Sequence, residues 1–263
     1  MTRELKKNVE SKVRDLCEEL GYVYKKKFFI KEDYPNIQNG LYFTYLQDKK
    51  ACKINLNATV VISLIDLEIK KRHLLEVNKA DFSFTLSQNL SFLMPDKKYI
   101  EWSFNERNYS TVLENLKNCI LNFGQPYFDR LNSPDKIISG IENRTERLLN
   151  KDFNFYMPII YLIRGQLDKG VNFIRDVIKE QATVLTEEEL RKKYLLPSFE
   201  HTPILRAGID RIDCEELQLL LNDLQEITIV GGTLGSGEVD PTYLVFARNY
   251  IKYINKLQNQ NDF

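Results

Sequence analysis

The chain has 263 residues and a mass of 31.0 kDa, with 37 Lys and Arg balanced by 37 Asp and Glu. Its hydrophobic fraction of 43% and charged fraction of 28% are those of a globular protein, which excludes a wholly disordered, collagen-like or disulfide-scaffold chain. A formal net charge of zero removes the long-range field on which a dedicated polyanion binder relies.

The first residues are charged throughout and lack the apolar core of a secretory signal. The best apolar stretches, 58–65 and 159–163, are too short to cross a bilayer. Cys17, Cys52, Cys119 and Cys214 stand 35, 67 and 95 residues apart, without the close pairing of metal-ligand sets or small disulfide frameworks. Reduced thiols in a cytoplasmic protein, with no metal and no cofactor, are expected.

Leu5, Val9, Val13, Leu16 and Leu20 recur at helical spacing, and Gly21 follows as a residue able to stop the helix in the left-handed conformation. Beyond it the apolar period changes to two. In residues 53–64, Ile54, Leu56, Ala58, Val60, Ile62 and Leu64 alternate with mostly polar neighbours, the pattern of a strand with one buried face. Weaker strands are expected over 22–31, 41–47, 81–86 and 99–104, with Phe82, Phe84 and Leu86, then Ile100, Trp102 and Phe104, facing inward. Pro35, Asn39 with Gly40, Asp48, and Pro95 with Asp96 carry turn chemistry between them. The short connections favour antiparallel pairing. A second helix carries Val112, Leu116, Cys119 and Phe123 on one face, with Thr111 and Glu114 at capping-box spacing. Together these elements predict an α+β domain: an N-terminal helix, an antiparallel meander and a closing helix.

The order of helix, Leu20-Gly21-Tyr22, basic-aromatic strand, Trp102 strand and a helix closing in Phe123-Gly124-Gln125-Pro126-Tyr127-Phe128 resembles a bacterial family of unknown function, the one numbered four thousand three hundred and four. The resemblance covers residues 1–131. It implies the fold and a bacterial origin, and one role consistent with that origin is defence or toxin neutralisation. The family has no assigned activity, so no catalytic residue is carried over.

Composition shifts near Leu131: residues 1–130 hold 21 basic and 17 acidic side chains, and the remainder 16 and 20. Ser133-Pro134-Asp135 reads as an N-cap followed by proline at the first helical position. Thr186 with Glu189, Asp213 with Glu216, Thr202-Pro203 and Asp240-Pro241 repeat such start signals. Residues 158–181 read as a helical hairpin around Gly165 and Gly170. Tyr243, Phe246, Ala247, Tyr250, Ile254 and Leu257 form the apolar face of a last helix. Helical periodicity favours core packing there over an aromatic platform for bases. A mostly helical second domain is therefore expected over 132–257, followed by a frayed tail at 258–263.

Candidate binding residues fall in two places. Gly231, Gly232, Gly235 and Gly237 follow a strand-like run and precede a helix start, the setting of a phosphate-binding loop. The glycine order does not match the dinucleotide fingerprint, no Gly-Lys-Ser/Thr is present, and Glu238 and Asp240 would oppose an anion. A connecting or partner-facing loop explains it better. Lys25 and Lys27, flanked by Tyr24, Phe28 and Phe29, combine charge and rings on an expected strand whose alternation sends both lysines to one face. Lysines that protect a sheet edge explain them better, because the first half of the chain carries only a small basic surplus.

Histidine is scarce. His73 lies in a basic run expected to be a loop, and His201 follows Glu200 ahead of a helix start. Neither is accompanied by a nucleophile or metal-ligand motif. A non-catalytic protein whose partner is another protein is thus the expectation. The alternatives are an enzyme acting on a nucleotide or phosphorylated substrate near residues 231–240, with Glu200 and His201 as accessory groups, and a nucleic-acid-binding module using Lys25 to Phe29.

Overall fold

A computed structural model of the chain describes residues 2–77, 83–146, 148, 150–181 and 241–261. It confirms the α+β class. The chain forms two compact units, one of residues 1–68 with 80–149 and the other of residues 69–79 with 150–263. Residues 132–149, grouped by composition with the helical half, thus fold with the first unit.

In the first unit, α1 (Thr2–Glu19) buries Leu5, Val9, Val13, Leu16 and Cys17. It packs on β3 and β4. Its end is a Schellman motif: Gly21 takes φ +84°, its N–H reaches Glu18 O, and the Tyr22 N–H reaches Cys17 O. The expected strand 22–31 is two strands. β1 (Val23–Lys25) and β2 (Phe28–Tyr34) are joined by Lys26 and Lys27, at φ 49° and 80°. A two-residue hairpin loop with both residues at positive φ matches the right-handed twist of its strands.

β3 (Ile37–Asp48) pairs along its whole length with β4 (Lys53–Leu64). β3 begins four residues before the expected strand, because Asn39 and Gly40 are buried strand residues and form no turn. Gly40 is required by close approach: a Cβ there would stand 2.9 Å from Val61 Cγ2 and 3.1 Å from Phe29 O. The turn is made instead by Pro35 and Asn36, with Asn36 at φ 63°.

The sheet is antiparallel, in the order β1-β2-β3-β4, and the far edge of β4 is shared. β5 (Leu86–Asn89) pairs with Thr59–Ile62, and β6 (Trp102–Phe104) pairs with Ile54–Leu56. The strand expected over 81–86 is therefore displaced toward the C-terminus. Phe84 is 37% exposed in place of facing the core, and Phe82 lies outside the described residues.

Between β4 and β5 the chain forms α2 (Ile65–Leu74), where a loop around His73 was expected. α3 (Tyr109–Cys119) and α4 (Gln125–Arg130) are joined by a π-helical turn at Ile120–Gly124. α3 starts at Asn108 and not at Thr111, and Asn108 makes no side-chain cap. Its side chain instead accepts from the Asn105 N–H and donates to Ser103 O. α5 (Pro134–Glu142) starts as read, with Ser133 accepting from the Lys136 N–H.

The second unit contains the end of α2, the hairpin of α6 (Asn150–Ile163) and α7 (Leu167–Gln181), and α8 (Pro241–Asn261). Gly165, at φ 68°, closes α6 with a second Schellman motif. The expected face of α8 is buried from Tyr243 to Ile254. Phe246 meets Phe155 edge-on at 5.1 Å, and the Tyr250 hydroxyl donates to Pro158 O at 2.9 Å. This is core packing, as helical periodicity implied.

Candidate functional site

Side-chain alternation divides the sheet of the first unit into two faces. Phe29, Leu41, Phe43, Leu56, Ala58, Val60 and Trp102 lie on the inner face and are buried. The Trp102 indole N–H donates to Asn115 of α3 at 2.9 Å, which places that face under the helices.

The outer face carries Lys25, Phe28, Tyr42, Thr44, Leu46, Asn55, Asn57 and Thr59, with Asn89 and Ser103 from the two short strands. Phe28 and Tyr42 are cross-strand partners with ring centroids 5.2 Å apart, and Phe84 adds a third ring 5.9 Å from Phe28. Beside them Asn89 donates to Asn57 at 2.8 Å, and Ser103 donates to Asn55 at 2.8 Å. Exposure rises along this face. Ile30, Val61 and Ser63 are buried near the start of α2, Tyr42, Asn55, Asn57 and Thr59 are half-buried, and Thr44 and Leu46 are exposed.

Of the residues singled out by sequence, Lys25 lies at the edge of this face, paired with Phe28. Lys27 does not join it, because it belongs to the hairpin loop. The expected one-sided lysine pair therefore does not form. Gly231, Gly232, Gly235, Gly237 and Glu238, and with them Glu200 and His201, lie outside the described residues. Tyr42, Thr44, Asn55 and Asn57 were missed as binding candidates. Their signal was the polar half of the alternation in β3 and β4, which reads equally as an ordinary solvated face.

Several thiols and phenols outside this face are held in their neutral forms. Burial pushes the Cys17 thiol up, with Glu18 adding to it, and burial raises Cys119 as well. Nucleophilic cysteines show the opposite shift. The Tyr34 hydroxyl donates to Asp129 at 2.8 Å, which pushes its pKa up to about 12. Buried Glu146 is held by Arg130, whose guanidinium also lies 5.2 Å from the Tyr127 ring centroid. Among the described residues, no group of three or more His, Cys, Asp or Glu could hold a metal ion. No helix among them is long and apolar enough to cross a membrane.

No family model matches the chain, and no curated protein or solved structure is detectably similar to it. Function is therefore read from the chain's own residues.

Proposed function

We propose that this chain is a non-catalytic cytosolic protein that binds another protein through the outer face of its sheet. The observation that supports this reading is the half-open row Phe28–Tyr42 flanked by Asn55, Asn57, Thr44 and Leu46. Aromatic side chains offer large contact area with few rotatable bonds, and neighbouring amides and hydroxyls adapt their hydrogen bonds to a partner.

The charge of the face favours protein over nucleic acid. Its strands contribute Lys25 and Lys53 against Glu32 and Asp48, so it offers no basic surplus to neutralise successive phosphates. A role in defence or toxin neutralisation is one form this binding could take, and it rests on the family resemblance alone.

Thr44→Arg tests the reading, because the position is exposed on this face and a long charge there would block docking without touching the core. Tagged chain is used to capture partners from nuclease-treated extract of the cells that make it. The wild type is expected to retain one protein in stoichiometric amount, and the variant is expected to lose it while melting at the same temperature. Absence of a stoichiometric protein, or equal capture by Thr44→Arg, would overturn the proposal.

A further inference from the structure

The two sides of β3 are unequally covered. β4 pairs with it from Ile37 to Asp48, whereas β2 begins at Phe28, opposite Tyr42. Among the described residues, Phe43 to Asp48 therefore have no strand on the β2 side, over about 20 Å of edge.

The hairpin between β1 and β2 fixes which backbone groups face that open side. Its two-residue loop makes Lys25 and Phe28 the pair that exchanges backbone hydrogen bonds, and bonding direction alternates along a strand. Phe29 is thus turned to Leu41 of β3. In step with Leu41, the N–H and C=O of Phe43, Tyr45 and Gln47 point to the open edge, while Thr44, Leu46 and Asp48 bond β4. Neither Tyr45 nor Gln47 makes a further backbone hydrogen bond among the described residues.

Sheets usually blunt a bare edge with lysine, proline, a bulge or a very short strand. β1, β5 and β6, at the margins of this sheet, are three or four residues long. From Thr44 to Gln47 the open stretch of β3 has none of these devices, and Leu46 is 51% exposed beside it.

Positive charge marks both ends of the stretch. Lys27 stands in the β1–β2 loop at one end, and Lys49 and Lys50 in the β3–β4 turn at the other. None of the three is in an ion pair among the described residues. Of the acids nearby, Asp48 Oδ1 accepts from the Lys50 and Ala51 N–H groups, and Glu10 of α1, within electrostatic reach of Tyr45, lies 3.6 Å from Lys6. A second copy of the chain suits this edge poorly, because antiparallel self-pairing brings Lys49 and Lys50 of one copy toward Lys27 of the other.

We infer that the open edge of β3 takes an extended segment of the partner protein as an added strand, with acidic residues flanking the paired stretch. The inference rests on the partner being a protein, as proposed above, and adds backbone pairing at the margin of the outer face. A side chain of the added strand opposite Leu46 covers its exposed surface.

The probe is a synthetic peptide of alternating threonine and valine with two glutamates at each end, titrated calorimetrically into the full chain. It is expected to bind saturably at one site, and the same peptide with lysines at its ends at least about tenfold more weakly. Gln47→Pro removes an edge N–H at an exposed position without touching the β4 ladder. It is expected to keep the wild-type melting temperature and lose at least about tenfold in peptide affinity. By amide exchange, Tyr45 and Gln47 should be unprotected in the free chain and protected with peptide bound, while Thr44 and Leu46 are protected in both. No saturable peptide binding, equal affinity for the lysine-ended peptide, preferential binding of single-stranded oligodeoxythymidine, or Tyr45 and Gln47 already protected in the free chain would overturn the inference. A captured protein lost by Thr44→Arg but retained by Gln47→Pro would overturn edge pairing alone. Peptide binding without any captured protein would instead count against the outer-face reading.

Discussion

Gly170→Ala gives a sharp test of how the helical unit is packed. Gly170 lies in the first turn of α7, and a Cβ built on it would stand 1.9 Å from the Tyr250 hydroxyl oxygen and 2.8 Å from Cζ. Tyr250 cannot easily withdraw, because it is fully buried and its hydroxyl donates to Pro158 O at 2.9 Å. Replacing glycine by alanine inside a helix otherwise stabilises by about 1 kcal/mol. Against that stand overpacking, at about 1–3 kcal/mol, and the strained or lost buried hydrogen bond, at about 1–3 kcal/mol. The balance is a destabilisation of about 3 kcal/mol.

Urea denaturation followed by far-UV circular dichroism, which is dominated by helix, measures this directly. A second arm isolates the cause. Tyr250→Phe removes the atom in closest conflict, so the alanine should cost at least about 1 kcal/mol less in that background than in the wild type. If Gly170→Ala raises stability, or if the two substitutions are additive, the packing argument fails.

Four further outcomes follow from single features. Lys27→Gly relieves a side chain held at φ 80° and should stabilise by about 1 kcal/mol, seen as a higher urea midpoint; no gain would mean that the loop is unstrained. Asn39 is fully buried, and neither of its amide atoms has a hydrogen-bond partner among the described residues, so Asn39→Leu should raise stability by about 1–3 kcal/mol, and a loss would reveal a partner for the amide. Tyr34, raised to about 12 by its bond to Asp129, and Tyr109, raised to about 12 by burial, keep protons that unfolded tyrosines lose near about pH 10. The native chain then binds more protons than the unfolded one, so stability is complete below about pH 10 and is lost toward pH 12; Tyr34→Phe should make that decline shallower in a series of urea melts. In a Cys214→Ser background, a thiol-reactive dye should label half-buried Cys52 well before buried Cys17 and Cys119, and simultaneous labelling of all three would mean that the fold opens on the labelling timescale.

Period and punctuation made much of the fold legible. Val9 and Val13 on α1, the alternation of β4 and the stripe of α8 depend on which face each side chain takes, and neighbouring residues suffice to set that. Gly21, Ser133 and Gly165 marked helix ends because their backbone chemistry is local. α2 escaped because its apolar residues make no clean stripe and its terminal left-handed position is filled by Glu76, at φ 54°, in place of glycine. Asn39 and Gly40 misled for the converse reason. They have the residue types of a turn, but the close approach of Val61 and Phe29 from neighbouring strands calls for glycine there.

The candidate sites depended on tertiary structure to a greater degree. Lys25 and Phe28 are three residues apart in sequence, yet Tyr42 and Asn57 join them only through strand register. Tyr45 and Gln47 turn their backbone groups to an open edge only because β2 begins at Phe28, opposite Tyr42. The sequence alone determined the fold class and the buried stripes, because periodicity and capping act over a few residues. Which polar side chains converge was decided by pairing and packing between segments far apart in the chain, and no local pattern encodes that distance.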